Sequence, residues 1–203
     1  MKKIFLFLYI LFFLNHVSAQ PPGKEINPDW PCSQVLIEEL SWGSIWTGPV
    51  LNDKSSKWRD NDELRLLANT IMNRKVKEEE GALKLKKYIK KNNSSEDLTL
   101  TFHALFDKTN EIWTKRTKKL LSFGKRQRLT AETIADKLDK IKELSKDRDS
   151  NKEELAELEQ ERLWDVRRFE DRRALSDALC EQPRFYEKRL GVFAKIILEN
   201  LGD

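Results

Sequence analysis

An all-α fold is what this sequence predicts: a helical bundle with a long antiparallel helical hairpin, and an irregular Trp-rich N-terminal arm stapled to it by a disulfide. Three observations lead there. After Pro49 the only proline is Pro183, and across that stretch apolar residues recur at spacings of three and four, the period of a half-buried helix. Two cysteines, Cys32 and Cys180, stand near opposite ends of the chain that follows a leader-like start. Four of the six tryptophans, Trp30, Trp42, Trp46 and Trp58, crowd into the segment before the helices.

Lys2 and Lys3 precede an unbroken apolar run from Ile4 to Leu14, and Val17, Ser18 and Ala19 supply the small residues of a cleavage site, so residues 1–19 read as a signal peptide. The apolar run is shorter than the roughly 20 residues a membrane-crossing helix needs. Gln20 stands where a lipoprotein requires a cysteine. The expected product is periplasmic or secreted and, once cleaved, not an integral membrane protein. In an oxidising compartment two cysteines make a bridge, because metal sites need closely spaced thiolates and redox sites need Cys-x-x-Cys. The alternatives are two free buried thiols or a bridge between subunits.

Residues 20–58 form the arm, polar and proline-rich at first, then rich in Trp, Gly and Pro. Its one short helix is expected from Ser41 to Trp46, with Ser41 as N-cap and Gly48-Pro49 as terminator. Residues 59–203 form the helical domain. Asp60-Asn61-Asp62-Glu63 opens a first helix with a cap and early acids, and its buried stripe is Leu64, Leu67, Ala68 and Ile71. A second covers about Lys77 to Lys91, with Leu83 or Leu85, Tyr88 and Ile89 inward.

Ser94 and Asp97 start the longest helix, carrying Leu98, Phe102, Leu105, Ile112, Leu120 and Phe123, with Gly124 a place for it to bend. The stripe resumes with Ile134, Leu138, Ile141 and Leu144 and stops in a turn near 147–151. A capping box of Ser150 and Glu153 begins the return helix, with Leu155, Leu158, Val166 and Phe169. The two stripes mirror each other about the turn, which predicts an antiparallel hairpin with coiled-coil-like packing, Leu144 opposite Leu155 and Ile141 opposite Leu158. Cys180 falls near the end of the second arm of the hairpin, and Pro183 in the first turn of a last helix carrying Phe185, Leu190, Phe193, Ile196, Ile197 and Leu201.

Two end motifs carry a resemblance. Asp29-Trp30-Pro31-Cys32, then Glu39-Leu40-Ser41, then Ile45-Trp46-Thr47-Gly48-Pro49 resemble the start of a group of uncharacterised secreted proteobacterial proteins. Cys180-Glu181-Gln182-Pro183 and Glu187-Lys188-Arg189-Leu190 look like the tail of that group, and Arg126-Gln127-Arg128, Trp164-Asp165 and Phe169-Glu170-Asp171-Arg172-Arg173 fit its middle. The resemblance implies a helical bacterial protein, in the periplasm, with no established activity. Lysine and asparagine stand where the group is richer in alanine and arginine, so the likeness is one of signatures.

Chemistry is sparse. Loss of Lys2 and Lys3 lowers the formal charge from +4 to +2, which gives no reason to expect nucleic acid. The charged fraction, 35%, is high but both signs are interleaved, as on solvated helix faces. His16 leaves with the leader, so His103 is alone and cannot build a triad or a histidine-rich metal site. No nucleotide-binding glycine loop and no HExxH motif is present. No cofactor and no metal are expected, and an enzyme would have to work with carboxylates alone.

Two features suit binding. Trp42 and Trp46 share a helix face and, with Trp58, form either a hydrophobic lid on the helices or a groove for a flat ligand. Lys115, Arg116, Lys118, Lys119, Lys125, Arg126 and Arg128 make a basic stretch, expected to pair with Glu161, Asp165, Glu170 and Asp171 across the hairpin or else to meet an anionic surface. The expectation is a non-enzymatic interaction or scaffold protein, with Trp42, Trp46, Trp58, Lys115, Arg116 and Lys119 as contacts. Its partner would be an unknown protein or envelope component, and self-association through the hairpin stays open. The alternative is a small-ligand or envelope-polymer binding module built on the Trp-rich arm.

Overall fold

A computed structural model describes residues 27–50, 55–146 and 151–202. The expected signal peptide, residues 20–26 and most of the expected hairpin turn lie outside the described residues. Five α-helices follow the arm: α1 (Asp62–Ile71), α2 (Glu78–Ile89), α3 (Ser95–Leu144), α4 (Lys152–Arg173) and α5 (Ser176–Glu199). Among the described residues there is no strand. No described helix is long and apolar enough to cross a membrane.

Helix starts are set by local chemistry. The Asn61 side chain accepts from the Leu64 N–H at 3.0 Å, and Ser94 Oγ accepts from the Asp97 N–H at 3.1 Å. Acids in the first turns of α1 to α5 face the positive ends of the helix dipoles. Ser150, expected to cap α4, lies outside the described residues, and the observed cap is Asn151, whose Oδ1 accepts from the Glu153 N–H at 3.0 Å. In the arm Trp42–Ser44 forms a 3-10 turn, shorter than the expected helix, and the Ser41 side chain makes no cap; a second 3-10 stretch, Ser55–Asp60, leads into α1.

The core lies around the first half of α3. Leu98, Phe102 and Leu105 are fully buried there, against Leu64, Ala68 and Ile71 of α1, Leu85 and Ile89 of α2, and Leu190, Phe193 and Ile197 of α5. Leu85 is thus the inward residue of α2, while Leu83 is exposed. Gly81 of α2 lets the Phe193 ring approach so closely that a Cβ would stand 2.8 Å from its Cζ. Thr99, Thr101 and Thr109 are buried because each hydroxyl donates to the carbonyl four residues back.

Arg189 is buried with no carboxylate partner among the described residues. Its guanidinium donates to the carbonyls of Ile71, Asn73 and Val76, at 3.1, 2.9 and 2.6 Å, and stacks 4.8 Å over Phe185. The carbonyls that end α1 and form the α1–α2 loop thereby find donors from α5, which orients these elements on one another.

α3 and α4 run antiparallel, as expected. Lys137 of α3 reaches both Glu161 and Asp165 of α4 at 2.8 Å, and Gln127 donates to the Phe169 carbonyl at 3.1 Å. Two expectations about α5 are corrected. The helix begins at Ser176, so Cys180 belongs to α5 and not to the hairpin's second arm, and Pro183 sits two turns inside the helix instead of in its first turn. The proline costs the bond its N–H would make to the Leu179 carbonyl. Packing outweighs that loss, since Pro183 is buried where the arm meets α5.

Candidate functional site

The arm runs back along α3, antiparallel to it, and each step has an anchor. The Asp29 carboxylate accepts from Arg128 Nε at 2.9 Å. The Trp113 indole donates to the Ile37 carbonyl at 2.8 Å, and the Leu40 N–H donates to Asn110 Oδ1 at 2.9 Å. Cys32 is bonded to Cys180 as expected, with Cα atoms 5.7 Å apart, and because Cys180 lies in α5 the bridge joins the arm to that helix and not to the hairpin's second arm.

Gly124 belongs to this clasp. A Cβ there would lie 2.0 Å from the Asp29 carbonyl oxygen and 3.2 Å from Pro31 Cδ. The arm's backbone rests directly on α3 at this point, and only glycine leaves room for it. Arg116 donates to Gln182 Oε1 and lies over the Tyr186 ring, so the clasp is tied to α5 a second time. Asp29, Pro31, Cys32, Arg128, Cys180, Gln182 and Pro183, drawn from both end motifs and the middle of the sequence, thus serve one junction.

Trp46 and Trp58 do not form an open platform. Trp46 is 3% exposed, stacks on Phe102 with ring centroids 4.1 Å apart, and donates to the Pro49 carbonyl at 2.8 Å. Gly48 lies against the Trp46 ring, where a Cβ would come within 2.5 Å. Trp58 is 8% exposed and donates to Asp107 Oδ2 at 2.9 Å, beside Arg59. Their ring faces are used in the core, so the sequence-based placing of these two among surface contacts is corrected. Trp42 remains 38% exposed, 6.4 Å from His103.

The expected pairing of the basic stretch with α4 is also corrected. Glu161 and Asp165 are taken by Lys137, and Asp165 also by Arg168. These bonds, from Lys137 first and then Arg168, hold the Asp165 carboxyl below its usual range, while Asp165 and then Glu161 push the Lys137 ammonium up. Arg116 and Arg128 are turned inward to Gln182 and Asp29. Lys115, Lys118, Lys119, Lys125 and Arg126 make no ion pair with any described residue.

These five cations and Ser122 between them are exposed and recur at helical spacing, so they share the outward face of α3. The stripe is about 16 Å long at the rise of an α-helix. The faces beside it are closed by the arm and by α5, so its backbone is held rigid. The sequence signal that could have singled it out is the alternation of charge within the basic stretch: 115, 118, 119, 122, 125 and 126 fall on one face, whereas 116 and 128 do not.

Titratable chemistry is otherwise thin. His103 is buried, which pushes its pKa down against the opposing pull of Asp107, and its Nε2 has no partner. Among the described residues no group of His, Cys, Asp and Glu is placed to hold a metal ion. A groove of about 620 Å³ between Glu143, Leu144, Glu157, Leu158 and Glu161 is an open trough at the far end of the hairpin. Comparisons with protein-family models, with curated proteins and with solved structures find no match.

Proposed function

We propose that this is an exported interaction or scaffold protein, acting by binding and not by catalysis, with the outward face of α3 from Lys115 to Arg126 as its contact surface. The observation that carries the reading is the row of five unpaired cations on a helix already fixed by its other neighbours. A charged surface with no internal partner keeps its field for an external one. A rigid surface loses little conformational entropy on binding. The leader-like start and the bridge between Cys32 and Cys180 support export. An acidic protein or anionic envelope component is the partner whose chemistry suits this face. The Trp-based ligand site is the weaker reading, because of its three tryptophans only Trp42 is open.

Ser122, exposed at the middle of the stripe, is the place for a photo-crosslinking residue in the intact, exported chain. A discrete crosslinked product is expected, and Lys115→Glu with Lys119→Glu and Lys125→Glu should abolish it. A product unchanged by those three substitutions, or no product at all, would sink the proposal.

A further inference from the structure

A second basic surface lies on α2 and differs from the first in kind. The C-terminal half of α2 exposes Lys84, Lys86, Lys87, Lys90 and Lys91. Lys84 is 3.4 Å from Glu80, whereas the other four make no ion pair with described residues. Lys86 and Lys87 complement the α2 dipole, as the three glutamates do at its start. That electrostatic role does not account for the leucines beside them. Leu66 of α1 and Leu83 of α2 are each 69% exposed, more than any other leucine among the described residues. On the α3 stripe the exposed positions between Lys115 and Arg126 are lysine, arginine and serine alone.

Between α1 and α2 runs a shallow groove of about 440 Å³, lined by Leu66, Leu67 and Tyr88 with Lys84, Lys87 and Lys91 and with Glu63 at its edge. Leu66 borders this groove, but Leu83 does not. An acidic helix seated in the groove would leave Leu83 in water. Leu83 lies one turn before Lys87, which lines the groove, so an occupant that covers Leu66, Leu83 and the lysines together has to extend past the groove onto the outer side of α2.

We infer that the α1–α2 face docks peripherally on an anionic lipid bilayer, with Leu66 and Leu83 entering the headgroup layer and Lys86, Lys87, Lys90 and Lys91 meeting lipid phosphates. Basic residues near apolar side chains are what interfacial binding requires, since each lysine adds attraction to the negative leaflet and the leucines add burial. The acids beside this face are Asp62 and Glu63 on α1 and Glu79 and Glu80 on α2; Asp62 is paired with Arg65 and Glu80 with Lys84, which leaves Glu63 and Glu79 against Lys86, Lys87, Lys90 and Lys91.

Sedimentation of the full chain with vesicles of phosphatidylcholine, with and without phosphatidylglycerol, tests the inference. Binding is expected only with phosphatidylglycerol and should fall as salt rises. Lys86→Glu with Lys90→Glu should weaken it about tenfold or more, at roughly 1 kcal/mol per lysine contact. Leu83→Ser should weaken it several-fold with no change of charge. Lys118→Glu with Lys125→Glu, on the α3 stripe, should leave it intact. Three results would overturn the inference: no sedimentation with anionic vesicles at low salt, binding lost only through the α3 substitutions, or binding indifferent to Leu83→Ser and fully competed by soluble polyglutamate. The last would assign the face to an acidic protein segment.

Discussion

The two halves of α3 belong to one continuous helix but are stabilised differently. Between Leu98 and Gly124, thirteen residues are buried, and between Lys125 and Leu144 none is. The first half is surrounded by α1, α5 and the arm, so nearly its whole circumference from Leu98 to Phe106 is covered. Beyond Arg128, which still touches the arm at Asp29, the second has only α4 beside it among the described residues, and two helices alone can cover no more than a stripe of each other. Ile134, Ile141, Leu144, Leu155 and Leu158 accordingly stay half-buried. There the helix depends on local terms: the Arg128–Glu132 and Lys142–Asp139 pairs, the Asn151 cap, and the Lys137–Asp165–Arg168 cluster across the seam. Helical sequence explains both halves as secondary structure, and neighbours alone explain which one carries the stability of the fold.

Removing the bridge should have the largest effect and should fall on the first half. Cys32→Ser with Cys180→Ser frees a loop of 148 residues and should lower unfolding stability by up to about 5 kcal/mol. Urea unfolding with and without reductant would show it, and equal midpoints would mean that the hydrogen-bonded arm needs no staple. Truncation of one apolar side chain in each half sharpens the contrast. Phe102→Ala should cost about 3–5 kcal/mol. Leu144→Ala, half-buried at the open trough, should cost less than about 1 kcal/mol by the same urea measurement, because little is buried there to lose.

Two glycines separate contact from helix propensity. Gly124→Ala should destabilise by about 1–3 kcal/mol because the Asp29 backbone must move, even though alanine favours helix. Gly191→Ala, in α5 with nothing within 4 Å of the new methyl, should stabilise by about 1 kcal/mol or less. Thermal unfolding of the two variants reads the signs directly, and a stable Gly124→Ala protein would remove the arm from that face of α3.

The smallest effects are with pH, and they should separate the halves by range. His103 in the first half has a lowered pKa, so as pH falls below about 6.5 the unfolded chain takes up a proton that the folded chain refuses. Stability is therefore lost from there down to its depressed folded value, and His103→Asn should flatten that slope. Asp165 in the second half is also lowered, but as an acid its contribution is complete above about pH 4 and disappears only as pH falls through its still lower folded value. Hydrogen exchange at pH 5 should thus show weakening around His103 and an unchanged α3–α4 seam.

Helix content, the antiparallel hairpin and the Cys32–Cys180 link were legible because each rests on short-range pattern or on compartment chemistry. The failures share a cause: the deciding partner is far away in sequence. Pro183 reads as a helix start until the arm is seen packing on α5. Trp46 and Trp58 read as a possible platform, since composition cannot say whether an indole meets Phe102 and Asp107 or water. The basic stretch reads as paired because α4 is acidic, and Lys137, outside that stretch, takes two of those acids. Of the basic residues offered as contacts, Lys115 and Lys119 are exposed, whereas Arg116 is turned to Gln182, a residue 66 positions away.

The covalent link has a further consequence for the chain as a polymer. Everything from residue 33 to residue 179, the whole hairpin included, lies inside a closed ring. A protease that cut once at the tip of the hairpin would release nothing: the two pieces would migrate together until a reductant parted them, and the densely packed half would keep both of its strands of chain. The molecule is therefore built so that its most exposed extension can be nicked without being shed.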